Sequence, residues 1–171
     1  MTNKQNILDI MIVNTETGIA FLENYSSNYI DIGYARPYRI ILSYSFELLL
    51  KAVWLNSLDI VIDDKKFPEC LFKMVGHNFN KICNKIGKAN LEAIGVKSCK
   101  FNKNKTGDIY KIEMCNGDII EIEDFTDIRY DFIGNKKDRP IKQIDKKKID
   151  NILKHMNRIL EIIKTRTKSV E

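Results

Sequence analysis

Residues 40–58 read IILSYSFELLLKAVWLNSL, and this stretch decides the fold. Apolar side chains would surround a helix formed by it on nearly every side, rather than lie along one stripe. Such a helix has to be enclosed by other elements, so we expect it to be the central helix of a helical domain. Pro37, just upstream, suits the first turn of this helix because an N–H there has no intrahelical partner.

Two charged residues interrupt the apolar stretch. Glu47 and Lys51 are four residues apart with the acid on the N-terminal side, which is the favourable order for an ion pair on a helix. An unpaired charge among Leu, Phe, Val and Trp side chains costs several kcal/mol, so we expect the two to be paired. Two interpretations stay open: a half-buried pair that fixes the packing register, or part of a polar pocket.

Further helices are predicted on both sides of this stretch. Residues 4–32 have helical spacing of apolar side chains, and we expect Gly18 to interrupt that helix. Residues 78–94 form a third predicted helix. Asp145 is placed to cap a last helix over about 146–166.

The pattern changes to strict alternation around Asn116-Gly117, in GDIYKIEMCNGDIIEIEDF. An Asn-Gly pair between alternating segments predicts a β-hairpin near residues 108–123, closed by a type I′ turn. We place the whole insertion at about 98–124, with residues 100–107 as a loop that leads into the hairpin. The predicted fold class is therefore all-α with a small β insertion: an up-and-down bundle of four or five helices in a single domain, 1–171.

The overall charge allows an acidic partner without requiring one. The 171 residues carry a formal net charge of +5, and the densest basic run is DKKKIDNILKHMNR at 145–158. A basic run of this kind occurs in nucleic-acid-binding proteins and on ordinary solvated helix faces. Both interpretations remain open.

The cysteines and the apolar segments indicate a cytoplasmic protein. There is no CxxC pair, so we expect reduced thiols and neither a metal site nor a cofactor. Glu47 and Lys51 break the longest apolar stretch, and Met1 is followed by the polar TNKQN, so we expect no membrane span and no signal peptide. The four cysteines are Cys70, Cys83, Cys99 and Cys115.

Three further residues are candidates for a site. His77 in MVGHNFNKI either lies at the start of a helix capped by Asn78 or contributes an imidazole to a site. Arg129 in DIRYDF either packs at the surface or presents its guanidinium to a phosphate or carboxylate. His155 comes one residue before the core position Met156, so we expect it on a flank or in solvent, without a catalytic role.

These segments together resemble the HEPN superfamily of helical domains. The resemblance rests on SFELLLKAVWL, then GHNFNKI, then the RY pair of Arg129 and Tyr130 ahead of the last helix. It extends from about residue 19 to the end, apart from the insertion. It implies an up-and-down bundle that often forms homodimers and occurs in toxin–antitoxin, abortive-infection and CRISPR-linked defence systems.

The resemblance implies two kinds of function. Many HEPN proteins are metal-independent ribonucleases, in which an Arg followed about four to six residues later by a His supplies the site. Others bind nucleotides or pair with a nucleotidyltransferase. Here Arg129 has no His in that window, which disfavours the usual ribonuclease motif.

The leading hypothesis is therefore a HEPN-like binding or partner module that contacts a nucleotide or RNA. Glu47, Lys51, His77, Arg129 and Tyr130 would line one polar patch, with Lys51 and Arg129 on phosphate and Glu47 orienting Lys51. One alternative is a metal-independent ribonuclease toxin with a rearranged site that uses His77 and Arg129. Another is a non-catalytic dimerisation protein. The expected partners are a second copy of the chain and a nucleotidyltransferase or antitoxin protein.

Overall fold

The computed structural model describes residues 3–27, 35–58, 76–103, 108–124, 128 and 145–168. Within these ranges the chain is mostly helical, with five helices and one three-stranded antiparallel sheet, so the predicted class of helices with a small β element is confirmed. In chain order the elements are α1 (Asn3–Ser27), α2 (Ala35–Asn56), α3 (Phe79–Ile86), α4 (Lys88–Ala93), β1 (Val96–Asn102), β2 (Ile109–Met114), β3 (Ile119–Glu123) and α5 (Lys146–Lys168).

Helix α2 is the buried centre that its sequence predicts. Every residue from Ser45 to Leu55 is buried, and α1, α3 and α5 all pack against this helix. Pro37 lies in its first turn, as expected. Among the helices described, none is both long enough and apolar enough to cross a membrane.

Helix α1 passes through Gly18 without a break, so the predicted interruption is wrong. A Cβ atom at Gly18 would lie 1.9 Å from Ser45 Oγ and 3.0 Å from Ser45 Cβ. The glycine thus marks a point of close approach between α1 and α2. Its helix-propensity cost of about 1 kcal/mol is offset by this packing, which a sequence pattern does not reveal.

We expect Gly18→Ala to destabilise the protein by about 1–3 kcal/mol, because the added methyl group overlaps Ser45 by more than the better helix propensity of Ala recovers. Urea denaturation followed by circular dichroism measures the change. The double variant Gly18→Ala/Ser45→Ala is the matched control, since it removes the 1.9 Å contact. It should regain part of the loss, and equal stability of Gly18→Ala and wild type would disprove the close-contact account.

The third helix is two helices, which corrects the prediction of one over 78–94. Gly87 has φ +79° and donates its N–H to Cys83 O at 3.1 Å, which ends α3. Asn78 caps α3 as predicted, because its side-chain oxygen accepts from the N–H of Lys81 at 3.0 Å. The apolar stripe continues across Gly87 into α4, so the break leaves no mark in the pattern of apolar residues.

The insertion has three strands rather than two. The hairpin of β2 and β3 is confirmed, but residues 96–102, partly read as loop, form β1 and pair with β2. The partners Cys99↔Ile112 and Phe101↔Tyr110 show the antiparallel register. The residues of β1 alternate only weakly between apolar and polar, so its strand character depends on the neighbouring strand.

The hairpin turn is not of type I′. A type I′ turn needs a positive φ at both Asn116 and Gly117. Gly117 has φ +89°, but among the described residues only glycines have a positive φ, so Asn116 does not. Gly117 donates its N–H to Met114 O at 3.0 Å, and Met114 donates to Asp118 O at 2.8 Å. This is the pattern of a three-residue loop with a G1 bulge, in which only the glycine needs the left-handed conformation.

The sheet shares the core of the helices. The Phe79 ring lies 4.4 Å from the ring centroid of Tyr110 and 5.8 Å from that of Phe46, so one aromatic row joins β2, α3 and α2. Tyr110, Ile112 and Ile122 are each 1% exposed. The insertion is therefore part of the core and not an appendage.

His155 is buried, which corrects the expectation of a flanking or solvent position. Its exposure is 4%, and its Nε2 atom lies 2.8 Å from Asp118 Oδ2 in the hairpin turn. The hydrogen bond from His155 is the main cause that lowers the pKa of Asp118 below its usual value. The turn covers this flank of α5, a contact that the helical pattern alone could not predict. Asp145 caps α5 as expected, accepting from the N–H of Lys147 at 3.0 Å.

Candidate functional site

Three of the predicted site residues meet at one point. Lys51 Nζ lies 2.6 Å from Glu47 Oε1, and His77 Nδ1 lies 3.0 Å from each oxygen of the same carboxylate. We call Glu47, Lys51 and His77 the Glu47 cluster. It joins the middle of α2 to the segment that precedes α3.

Local backbone structure places each member. The four-residue spacing puts Glu47 and Lys51 on one face of α2, one turn apart. Gly76, with φ +52°, turns the chain just before His77, and the Asn78 cap then starts α3. His77 is consequently held between a glycine turn and a capped helix start.

The members differ strongly in exposure. The side chains of Glu47 and Lys51 are 1% and 4% exposed, whereas that of His77 is 46% exposed. A buried carboxylate needs several donors to replace water, and the ammonium and the imidazole both supply them. The cluster is thus a buried ion pair with an imidazole at the protein surface.

The carboxylate also orients the imidazole. Since the Glu47 carboxylate is an acceptor on both oxygens, Nδ1 of His77 is the donor in this contact. The first turn of α3 begins two residues later, and the N-terminus of a helix carries a partial positive charge. Lys81, in that turn, is exposed. The surface around His77 therefore favours a negatively charged ligand.

The remaining two predicted site residues cannot be placed. Arg129 and Tyr130 lie outside the described residues, so their membership of the patch stays a prediction. Ile128, which precedes them, is 3% exposed and donates its N–H to Asp124 O at 3.0 Å.

No group of three or more His, Cys, Asp or Glu side chains in the described part of the chain could hold a metal ion. Cys83, Cys99 and Cys115 are free thiols, and Cys70 lies outside the described residues.

A second polar contact of α2 has no counterpart among the residues predicted from the sequence. Arg39 forms a salt bridge with Glu123 at the end of β3, and Ser43 Oγ donates to the backbone oxygen of Glu123 at 2.8 Å. A cavity of about 170 Å³ opens beside this contact and is lined in part by Tyr38 and Leu42. The partners are 80 or more residues apart in sequence, so no local signal could have revealed the contact.

The described residues form a helical domain with an integrated three-stranded sheet. Its candidate site is a buried ion pair in contact with an imidazole at the surface. No protein-family model, curated protein or solved structure matches this chain. The HEPN resemblance therefore rests on the sequence motifs.

We expect Lys51→Met to destabilise the protein by about 3–5 kcal/mol, because it leaves the Glu47 carboxylate buried without its ammonium partner. Chemical denaturation measures the loss. The control is Glu47→Leu/Lys51→Met, which replaces both charges with apolar side chains of similar volume. It should recover most of the stability, and a double variant no more stable than Lys51→Met would contradict the buried-pair account.

Proposed function

We propose that this chain is a HEPN-like binding module, an up-and-down helical bundle that binds the phosphate of a nucleotide or RNA at the Glu47 cluster. The observation that supports it is the 3.0 Å contact between His77 and the buried carboxylate of Glu47. This contact joins the ELLLK and GHNF segments, two of the three segments on which the family resemblance rests.

The proposal assigns a distinct role to each residue. His77 contacts the phosphate, since it is the exposed member and a protonated imidazole donates from both ring nitrogens. Lys51 is too deeply buried to reach a surface ligand and acts by neutralising Glu47, which differs from the direct phosphate contact expected from the sequence. Arg129 supplies a guanidinium to the phosphate, and Tyr130 supplies a ring for a base.

The proposal also includes partners of the HEPN kind in the cytoplasm. These are a second copy of the chain and a nucleotidyltransferase or antitoxin protein. Ile10 and Val13 on α1 are 58% and 55% exposed, and this pair of exposed apolar side chains supports a protein contact on that helix. It would also serve the alternative of a non-catalytic dimerisation protein.

A second candidate function is a metal-independent ribonuclease toxin that uses His77 and Arg129. The observation that favours it is the orientation of the imidazole by Glu47, since a carboxylate that holds a histidine by Nδ1 is a common arrangement of a general base. His77 would take the proton of the RNA 2′-OH as that oxygen bonds to the phosphorus, and Arg129 would stabilise the charge on the phosphate. The bond from phosphorus to the 5′-oxygen breaks, and the leaving 5′-oxygen takes a proton from water.

We expect His77→Ala to weaken binding of a fluorescein-labelled single-stranded RNA or a fluorescent ATP analogue about tenfold, equal to about 1.4 kcal/mol. Fluorescence anisotropy measures the affinity. His77→Gln removes the imidazole but keeps an N–H donor for Glu47, so it separates ligand contact from folding. Lys100→Ala, an exposed cation on β1, is the matched control.

Weaker binding by both His77 variants, with Lys100→Ala unchanged, supports the proposal. Absence of binding to either probe, or wild-type affinity in His77→Gln, would rule out phosphate contact by this imidazole.

The enzyme candidate makes a different prediction. Purified protein in EDTA should cleave total RNA and leave 2′,3′-cyclic phosphate ends, because attack by the 2′-OH needs no metal. Cleavage should vanish in His77→Gln and in Arg129→Ala. Such a result would replace the binding-module proposal, whereas intact RNA at high protein concentration would eliminate the ribonuclease.

A further inference from the structure

Strand β3 forms one edge of the sheet, whose strand order is β1-β2-β3. Met114 donates its N–H to Asp118 O at 2.8 Å, and Asp124 donates its N–H to Asp108 O at 2.9 Å. Met114 with Asp118 and Asp108 with Asp124 are therefore hydrogen-bonded pairs of the β2–β3 ladder. Hydrogen-bonded pairs alternate along an antiparallel ladder. The backbone groups of Ile119, Glu121 and Glu123 therefore point away from β2, toward the edge.

Within the part of the chain that the structure describes, only part of this edge is occupied. Ser43 Oγ binds the outward carbonyl of Glu123, which agrees with the assigned direction. In the described ranges no hydrogen bond from outside the sheet reaches the backbone of Ile119 or Glu121. Among the described residues, two N–H groups and two C=O groups are thus open, in the alternation that an added strand would match.

A groove of about 580 Å³ is lined by residues of this edge, Ile119, Ile120 and Glu121 among them. The hairpin lines one side, where the Ile119 side chain is 57% exposed. Helix α5 lines the other side with Lys147, Lys148 and Ile152 among others. The edge from Ile119 to Glu121 matches about three residues of an extended chain.

The groove carries excess positive charge. Three lysines line it, Lys111 on β2 and the exposed Lys147 and Lys148 in the first turn of α5, against the two acids Asp118 and Glu121. Cations are unfavourable at a helix N-terminus, by about 0.3–1 kcal/mol each, and the capping carboxylate of Asp145 offsets part of this cost.

The two acids of the groove already have partners. Asp118 is bonded to His155 at 2.8 Å. Glu121 lies 3.6 Å from Lys111 and 4.0 Å from Lys148. The charges of these two acids therefore neutralise the positive charge of the groove lysines only in part.

We propose that the groove between β3 and α5 binds an extended acidic segment of a partner protein, which adds to β3 as a fourth strand. Its backbone would pair with Ile119 and Glu121, and its acidic side chains would face Lys147 and Lys148. The alternating backbone groups favour a peptide over RNA, since RNA needs cations and stacking surfaces but no strand edge. The groove is lined by none of the Glu47 cluster, so this proposal stands apart from the phosphate site.

The test uses the full chain and a fluorescein-labelled peptide, Thr-Glu-Val-Glu-Val-Glu. Amide hydrogen exchange by NMR is the decisive readout. Bound peptide should slow exchange at Ile119 and Glu121 at least tenfold, with little change at Ile120 and Ile122, whose N–H groups already pair with β2. The same peptide with Lys for Glu, and one N-methylated at alternate residues, should bind at least tenfold more weakly.

Two pairs of variants complete the test. Lys147→Glu/Lys148→Glu should weaken peptide binding at least tenfold, while Lys85→Glu/Lys88→Glu, the same charge change on α3 and α4, should not. Glu121→Pro removes one outward N–H at an edge position that tolerates proline and should abolish binding, with Glu121→Thr as its control.

Four results would overturn the proposal. The first two are absence of peptide binding at about 1 mM, the dissociation constant of a very weak complex, and amide protection that does not alternate along β3. The third is equal binding of the peptide with Lys for Glu. The fourth is that Lys147→Glu/Lys148→Glu loses affinity for a dodecamer of uridine and not for the peptide. A dimer in solution that protects the same amides without peptide would assign the edge to a second copy instead.

Discussion

The burial of the Glu47 carboxylate is the constraint on which much of this structure depends. A charge that is 1% exposed needs donors from the protein, and Lys51 supplies one from the same helix. The other comes from His77, outside α2, so satisfying the carboxylate fixes where the segment before α3 meets α2. Two residues later Phe79 enters the core between Phe46 and Tyr110. The polar contact and the aromatic row therefore specify the same position for α3.

Glu47 and Lys51 belong to a longer polar stripe along α2. The stripe consists of residues at intervals of four: Arg39, Ser43, Glu47 and Lys51. This spacing places them on one side of the helix, along a row that winds slowly around the helix axis. The first two bind Glu123 of β3, and the last two form the Glu47 cluster. Helix α2 thus carries one row of polar groups at four-residue spacing, and each contact of that row joins α2 to another segment of the chain. Such contacts have strict geometry, so they select one packing among several that apolar surfaces alone would allow.

Local signals predicted much of this fold. The central helix, the Asn78 and Asp145 caps, and the β2–β3 hairpin each depend on neighbours in sequence, and all are confirmed. The errors arose where distant contacts decide. Gly18 stays helical because Ser45 approaches it, and His155 is buried because the hairpin turn covers α5.

The site shows the same division. The ion pair of Glu47 and Lys51 could be predicted from their spacing and their apolar surroundings. The contact with His77, 30 residues away, was suggested only by the family resemblance. The contact of Arg39 and Ser43 with Glu123 had no sequence signal, because a four-residue polar repeat does not reveal which element it faces.

A purely structural role accounts for Glu47 and Lys51 but leaves two properties of His77 unexplained. A buried carboxylate gains stability from any well-placed N–H or O–H donor, and Asn, Ser or a backbone amide would supply one. The donor present is an imidazole, and nearly half of its side chain faces solvent. An exposed imidazole oriented by a buried carboxylate therefore supports the proposal of a phosphate site, because stability alone does not require it.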